Sequence, residues 1–110
     1  MTKFVVQYYS PAEAMAKMAT ATEEEKMEGM KPWMAWNEKY KDNILDLGAP
    51  MMGVARIESD GSQTQAVGAA TGFTIIQAEN LDEAKAMMDG HPHLGWAPGC
   101  AIELYECMEM

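Results

Sequence analysis

The sequence predicts an α+β fold: a ferredoxin-like, four-stranded antiparallel sheet with helices on one face and an extra helix inserted after the first strand. Three observations predict it. Lys3–Tyr9 (KFVVQYY) and Phe73–Glu79 (FTIIQAE) are rich in β-branched and aromatic residues, and each runs into a helix-start signal. Between them, Asp60-Gly61 is a hairpin-turn dipeptide. The resulting order is strand, helix pair, hairpin, helix, strand. These are two βαβ-like halves laid end to end, which right-handed crossovers fold into such a sheet. At 110 residues the chain suits one domain, residues 1–110, with a modest core.

The first strand is apolar on both faces, with Phe4, Val6 and Tyr8 on one and Val5 and Tyr9 on the other beside Gln7. Such a strand is covered on both sides. Helices supply one cover. A second subunit laid sheet to sheet supplies the other, closing a dimeric α/β barrel, because monomers rarely leave so large an apolar face bare. Next, Ser10, Pro11 and Glu13 read as N-cap, first helical position and capping-box acid of an Ala/Met/Glu-rich helix running to about Glu28 and ending at Gly29. Its acidic run, Glu23–Glu25, reads as a solvated face. A second helix opens at Pro32. Trp33, Trp36, Tyr40, Ile44 and Leu47 form one stripe at the 3.6-residue period, and Gly48 and Pro50 stop it.

Met52–Glu58 suits a strand, and residues 62–72, small and polar, suit a weak strand or loop. After the FTIIQAE strand, Asn80 and Glu83 repeat the capping pattern. Leu81, Ala84, Met87 and Met88 give a short apolar helix face, and Gly90 closes it. Ala101–Met108 forms the last strand. Gln7 and Gln77, flanked by apolar strand residues, fit a cavity lining, solvent, or a hydrogen bond across a dimer.

Composition narrows the partners. A net charge of −9 repels nucleic acid. No segment has the apolar length of a membrane span, and MTKFVVQYYS is too short an apolar run for a signal peptide, so a soluble cytoplasmic protein is expected. Cys100 and Cys107 share one strand-like segment. At about 3.3 Å per residue they lie roughly 23 Å apart on opposite faces, too far to pair. Free thiols suit a reducing compartment. No zinc-type cysteine spacing, nucleotide loop, serine-nucleophile motif or flavin signature is present, so no cofactor is expected. The 12 methionines, spread along the chain, read as core and interface filling.

The chemistry gathers in DGHPHLGWAPGC, residues 89–100, which holds both histidines. Pro92 pushes His91 toward an extended backbone. If Pro92 and His93 continue extended, the two imidazoles project to one side, near Trp33, Trp36 and Trp96. Imidazole beside aromatic walls is the composition of a small-molecule pocket. A histidine at a helix end is equally explained by the helix dipole. A metal would need a third ligand, for which Asp89, Glu103 and Glu106 are the candidates.

KFVVQYY, LGAP, GFTIIQAENLDEAKAMM with GHPHL, and the closing IELYECMEM together resemble the YCII-related family over nearly the whole chain, least in residues 10–31 and 59–71. The resemblance implies a dimeric α+β barrel on a ferredoxin-like fold. It also implies small-molecule chemistry of the kind that removes chloride from a chlorinated hydroxyquinol. There a helical His and the Asp of an Asp-Pro turn act as acid and base. Here the Asp-Pro position is His91-Pro92, and no histidine lies near Trp33–Trp36, so that pair does not carry over.

Two functions follow as expectations. The first is a small-molecule lyase or related acid–base enzyme acting on a compact, aromatic or hydroxylated substrate. His91 would transfer the proton, His93 or Asp89 would orient it, and Trp33, Trp36, Trp96 and Tyr8 would bind the substrate. The second is a non-catalytic ligand-binding or structural homodimer.

Overall fold

The computed structural model describes residues 1–66 and 68–110. Its main sheet has four antiparallel strands in the order β2-β5-β1-β6: β1 (Thr2–Tyr9), β2 (Ile44–Pro50), β5 (Gly72–Ala78) and β6 (Ala101–Glu106). That is the ferredoxin-like order. A short hairpin, β3 (Arg56–Ile57) with β4 (Gln63–Thr64), stands apart from it. The helices are α1 (Ala12–Ala19), α2 (Glu23–Lys39) and α3 (Leu81–Met88), followed by a 3-10 turn at Pro92–Gly95.

The two faces expected of β1 are present. Phe4 and Val6 are fully buried and Tyr8 nearly so, while Val5, Gln7 and Tyr9 are half-buried on the other face. β5 repeats them, with Thr74, Ile76 and Ala78 inward. Trp36 from α2 and Ala84, Met87 and Met88 from α3 pack on the inward face, so the core lies between sheet and helices. Each large apolar side chain sealed there contributes about 1.5–3 kcal/mol.

The helix boundaries differ from expectation. Ser10 caps nothing; its hydroxyl bonds Thr71 Oγ1 at 2.9 Å, and Pro11 is the N-cap of α1 with no side-chain bond. The first helix ends at Ala19 rather than near Glu28. A new one starts from a capping box in which Thr22 and Glu25 bond each other's backbone N–H. Glu23–Glu25 is thus the first turn of α2, where carboxylates favour the helix dipole. α2 runs through Gly29 and Pro32 and stops at Lys39, while Ile44–Pro50 is a strand, not the rest of the helix. Asn43 makes the switch: its N–H bonds the Tyr40 carbonyl at 2.8 Å and its Nδ2 donates to Gln77 O at 2.9 Å, seating β2 beside β5.

The expected strand Met52–Glu58 shrinks to β3. The Asp60-Gly61 turn stands as expected, with Gly61 at φ 89° and Glu58 N–H bonding Ser62 O at 2.8 Å. Within the 62–72 stretch only Gln63–Thr64 is strand before β5 begins, and Val67 lies outside the described residues. The last strand stops at Glu106, two residues short of Met108. Asn80 caps α3 by accepting the Glu83 N–H at 2.9 Å. None of these helices is long and apolar enough to cross a membrane.

α1 and the first half of α2 scarcely touch this core. Ala14 is the one buried residue of α1, and nothing from Glu23 to Pro32 is buried. The Cα radius of gyration, 15.5 Å, exceeds the roughly 13 Å of a compact chain this long, as a projecting arm requires.

Candidate functional site

The residues after α3 explain the His-Pro-His motif. Gly90 adopts φ 71°, where glycine has no Cβ penalty, and turns the chain so that His91 drops inward. The His91 N–H bonds Met88 O at 3.1 Å. Pro92 and His93 then form a 3-10 turn, not the extended run expected. His91 caps that turn: its Nδ1 accepts the His93 backbone N–H at 3.0 Å, the role an Asn or Ser oxygen usually plays.

Both imidazoles are buried, His91 to 1% and His93 to 4% exposure. The partners of His91 dictate its tautomer. A backbone N–H can only donate, so Nδ1 is bare and the proton sits on Nε2. Nε2–H donates to the Tyr8 hydroxyl at 3.1 Å, Tyr8 donates to Thr74 Oγ1 at 2.7 Å, and Thr74 donates to the Leu47 carbonyl at 2.7 Å. The chain starts at a group that only donates and ends at one that only accepts, so every proton in it has one position. His93 makes a separate contact, donating from Nε2 to Tyr9 O at 3.0 Å.

Aromatic rings close around His91. Trp36 lies 4.4 Å away by ring centroid, and Trp33 stands edge-on at 4.8 Å and edge-on to Tyr8 at 5.2 Å. The Trp36 indole N–H donates to Met87 O at 2.9 Å, tying α2 to α3. Burial, and secondarily the charge of His93, hold the His91 imidazole down at about 4. Burial lifts the Tyr8 hydroxyl to about 12, against a small opposing effect of the Thr74 bond. Both groups are neutral across physiological pH.

Of the residues named from the sequence, Tyr8, Trp33, Trp36 and His91 form one cluster, with His93 beside Tyr8 at 5.0 Å between ring centroids. Trp96 is 40% exposed and 6.2 Å from the His93 ring, a neighbour of the cluster rather than a wall shared with Trp33. Asp89 is exposed, and no hydrogen bond joins it to either imidazole among the described residues. Asp89 faces a cleft of about 270 Å³ between Pro32, Trp36 and Lys39 of α2 with its C-cap Tyr40, and its own turn with Gly90 and Pro92. His91 is absent from the lining and stands behind Trp36.

Thr74, Lys39 and Tyr40 escaped sequence reasoning as site residues. Thr74 carried a signal: a lone hydroxyl at an inward strand position, between Gly72 and Ile76, needs a buried partner. Lys39 is three residues beyond Trp36 and so shares its helix face.

The third ligands considered for a metal do not converge on the histidines. Glu103 lies on the opposite sheet face, accepting from Tyr9 at 2.9 Å and Tyr105 at 2.5 Å, and those bonds hold its carboxyl below the usual range. Among the described residues no three His, Cys, Asp or Glu side chains gather to hold an ion. Gln7 is on that outer face too, its Oε1 3.1 Å from the Tyr9 hydroxyl, and Gln77 donates to Asp42 O at 3.2 Å.

No protein-family model and no curated protein matches the chain. Among solved structures it is similar to 5-chloro-2-hydroxyhydroquinone dehydrochlorinase from Burkholderia phenoliruptrix AC1100, solved in complex with 2,5-dihydroxybenzoquinone. The likeness has a TM-score of 0.50 and 19% identity and covers 94% of this chain and 91% of that one. At that identity it is a likeness of fold: the small α+β architecture described above is one that an enzyme also uses.

Proposed function

We propose that the chain is a YCII-related protein that handles a compact small molecule in the cleft between α2 and the end of α3, as a lyase or related acid–base enzyme. The observation that carries this reading is the cleft's composition. Asp89 lines it together with Lys39, over an aromatic floor of Trp36 and Tyr40. An accessible carboxylate can take a substrate proton, and an ammonium in the same cleft stabilises negative charge as it develops. In an elimination the proton passes to Asp89, the C–H electron pair becomes the new double bond, and the leaving group departs with its bonding pair. His91, neutral and sealed, acts through Trp36 and Tyr8 as a positioning residue rather than as the base. Fold-level analogy with the dehydrochlorinase supports the reaction class.

A second reading, a non-catalytic ligand-binding or structural homodimer, draws support from His91 itself, since both its ring nitrogens are already engaged within the chain. Under either reading the chain pairs with itself through the sheet face that carries no helix, where Val5, Phe73 and Ile75 are half-buried in a single copy.

A panel of chlorinated and hydroxylated aromatic compounds and small halogenated acids tests the enzyme reading, with proton and halide release as readouts. Asp89→Asn is expected to lower kcat at least about 100-fold with the circular dichroism unchanged. Absence of wild-type turnover transfers the assignment to the second reading, whereas full activity in Asp89→Asn removes Asp89 as the base. Sedimentation of wild type against Ile75→Glu tests the self-association; a wild-type monomer would end it.

A further inference from the structure

We infer that the cleft takes a small zwitterion, an apolar body bearing one cationic and one anionic group; the inference rests on the ligand-binding reading of that cleft. Its volume, about 270 Å³, falls below the roughly 300–1,000 Å³ that holds drug-sized ligands, so the body is of amino-acid size. Pro32, Trp36, Tyr40 and Pro92 make an apolar surface for it.

Two opposite charges line that surface and leave each other alone. Lys39 ends α2 with its Nζ over the Tyr40 ring, 5.2 Å from the centroid. Asp89 is the C-cap residue of α3. Among the described residues the ion pairs are Lys31–Glu28, Lys41–Glu38 and Arg56–Glu58, and neither Lys39 nor Asp89 joins one. Lys39 at a helix C-terminus suits the dipole, whereas the Asp89 carboxylate stands at the end that repels it.

The rest of α3 obeys the rule that Asp89 breaks. Asp82 and Glu83 occupy its first turn, Lys85 its last, and Asn80 caps it. A local rule broken without local compensation is the mark of a position kept for something else. A ligand cation supplies the counter-charge that Asp89 lacks, and a ligand carboxylate reaches Lys39. A purely anionic ligand meets Asp89 with like charge, and a purely cationic one meets Lys39, so the pair selects for both signs at once.

The test follows the Trp36 indole N–H resonance of the full chain by NMR at pH 7 during titration with L-phenylalanine, 3-phenylpropanoate and 2-phenylethylamine. L-valine, 3-methylbutanoate and isobutylamine repeat the comparison with a smaller body. The expected result is saturable binding of a zwitterion at least 5-fold tighter than of either singly charged relative. Lys39→Gln should abolish the advantage over the amine, and Asp89→Asn the advantage over the acid. If a singly charged probe binds as tightly as its zwitterion, the inference falls while the ligand-binding reading stands. If none of the probes moves the resonance, the inference falls, and the small-molecule reading of the cleft is decided by the aromatic and halogenated panel alone.

Discussion

The Nε2–H of His91 points at the hydroxyl of Tyr8 from 3.1 Å, and that contact sets the direction of the hydrogen bonds that follow it. Tyr8 must then donate onward to Thr74, and Thr74 to Leu47 O. A protonated His91 would need a hydrogen on Nδ1, where the His93 N–H already points. Charging the ring therefore breaks a bond as well as burying a cation.

The first prediction is a pH dependence. His91 carries a proton below about pH 4 when folded and below about 6.5 when unfolded, so the unfolded chain binds more protons between those values. Stability contributed by neutral His91 is complete above pH 6.5 and declines as the pH falls toward 4, by up to about 3 kcal/mol. Urea unfolding from pH 7.5 to 4.5 should show the decline, and long-range ¹⁵N–¹H spectra should show the Nε2–H tautomer at pH 6. A His91 that titrates near 6.5 with the fold intact would refute the closed hydrogen-bond chain.

Tyr8→Phe removes the link between His91 and Thr74 while preserving the ring. Both partners lie at 1% exposure or less, so the loss should cost about 1–3 kcal/mol. The urea midpoint should fall with its slope unchanged. A change within about 0.5 kcal/mol would mean that water serves these groups as well as tyrosine does.

β1, β5 and α3 were legible because local pattern and tertiary role agree. Inward Phe4, Val6 and Tyr8 alternate with half-buried neighbours, and Asn80 both looks like a cap and is one. β2 was not. Ile44 and Leu47 continue the 3.6-residue spacing of Trp33, Trp36 and Tyr40, yet Ile44 pairs with Ile76 in the sheet, a contact 32 positions away that no local pattern reports. The break between α1 and α2 is legible in the sequence, since Thr22 and Glu25 have capping-box spacing. Gly29 and Pro32 misled because both lie in exposed helix, where water serves the carbonyl that Pro32 leaves unbonded. At the site the sequence put Trp33 and Trp36 near His91, but on an extended run in place of the 3-10 turn and with Trp96 among them. The closure of the cluster was not legible, because whether an imidazole faces solvent or a tyrosine depends on the turn at Gly90.

Gly48 and Gly90 make a controlled pair. Both have positive φ, 81° and 71°, so alanine is strained at each by about 1–2 kcal/mol. At Gly48 an added Cβ would also fall 1.8 Å from Phe73 O, inside the β2–β5 pairing, whereas at Gly90 it meets nothing within 4 Å. Gly48→Ala should therefore lower the melting temperature well beyond Gly90→Ala. Equal shifts would show that β2 can move away from β5 freely.

Thr22→Ala tests the arm. Loss of the cap should cost about 1 kcal/mol of local helix stability and accelerate amide exchange over Glu23–Lys26, leaving β1 and β5 amides unchanged. Faster exchange throughout the sheet would mean that the arm and the core open together.

Pro32 gives that arm a further property. It deletes the N–H that would bond the Glu28 carbonyl, at the point where α2 passes from fully exposed residues to Trp33 and Trp36. The helix is continuous in shape but divided in cooperativity. Its first half and α1 should open together as one foldon, since that opening uncovers little beyond Ala14. Such a segment should unravel and re-form many times for each global unfolding event. A protease should nick the chain first at the Thr20–Thr22 joint and leave the four-stranded sheet standing.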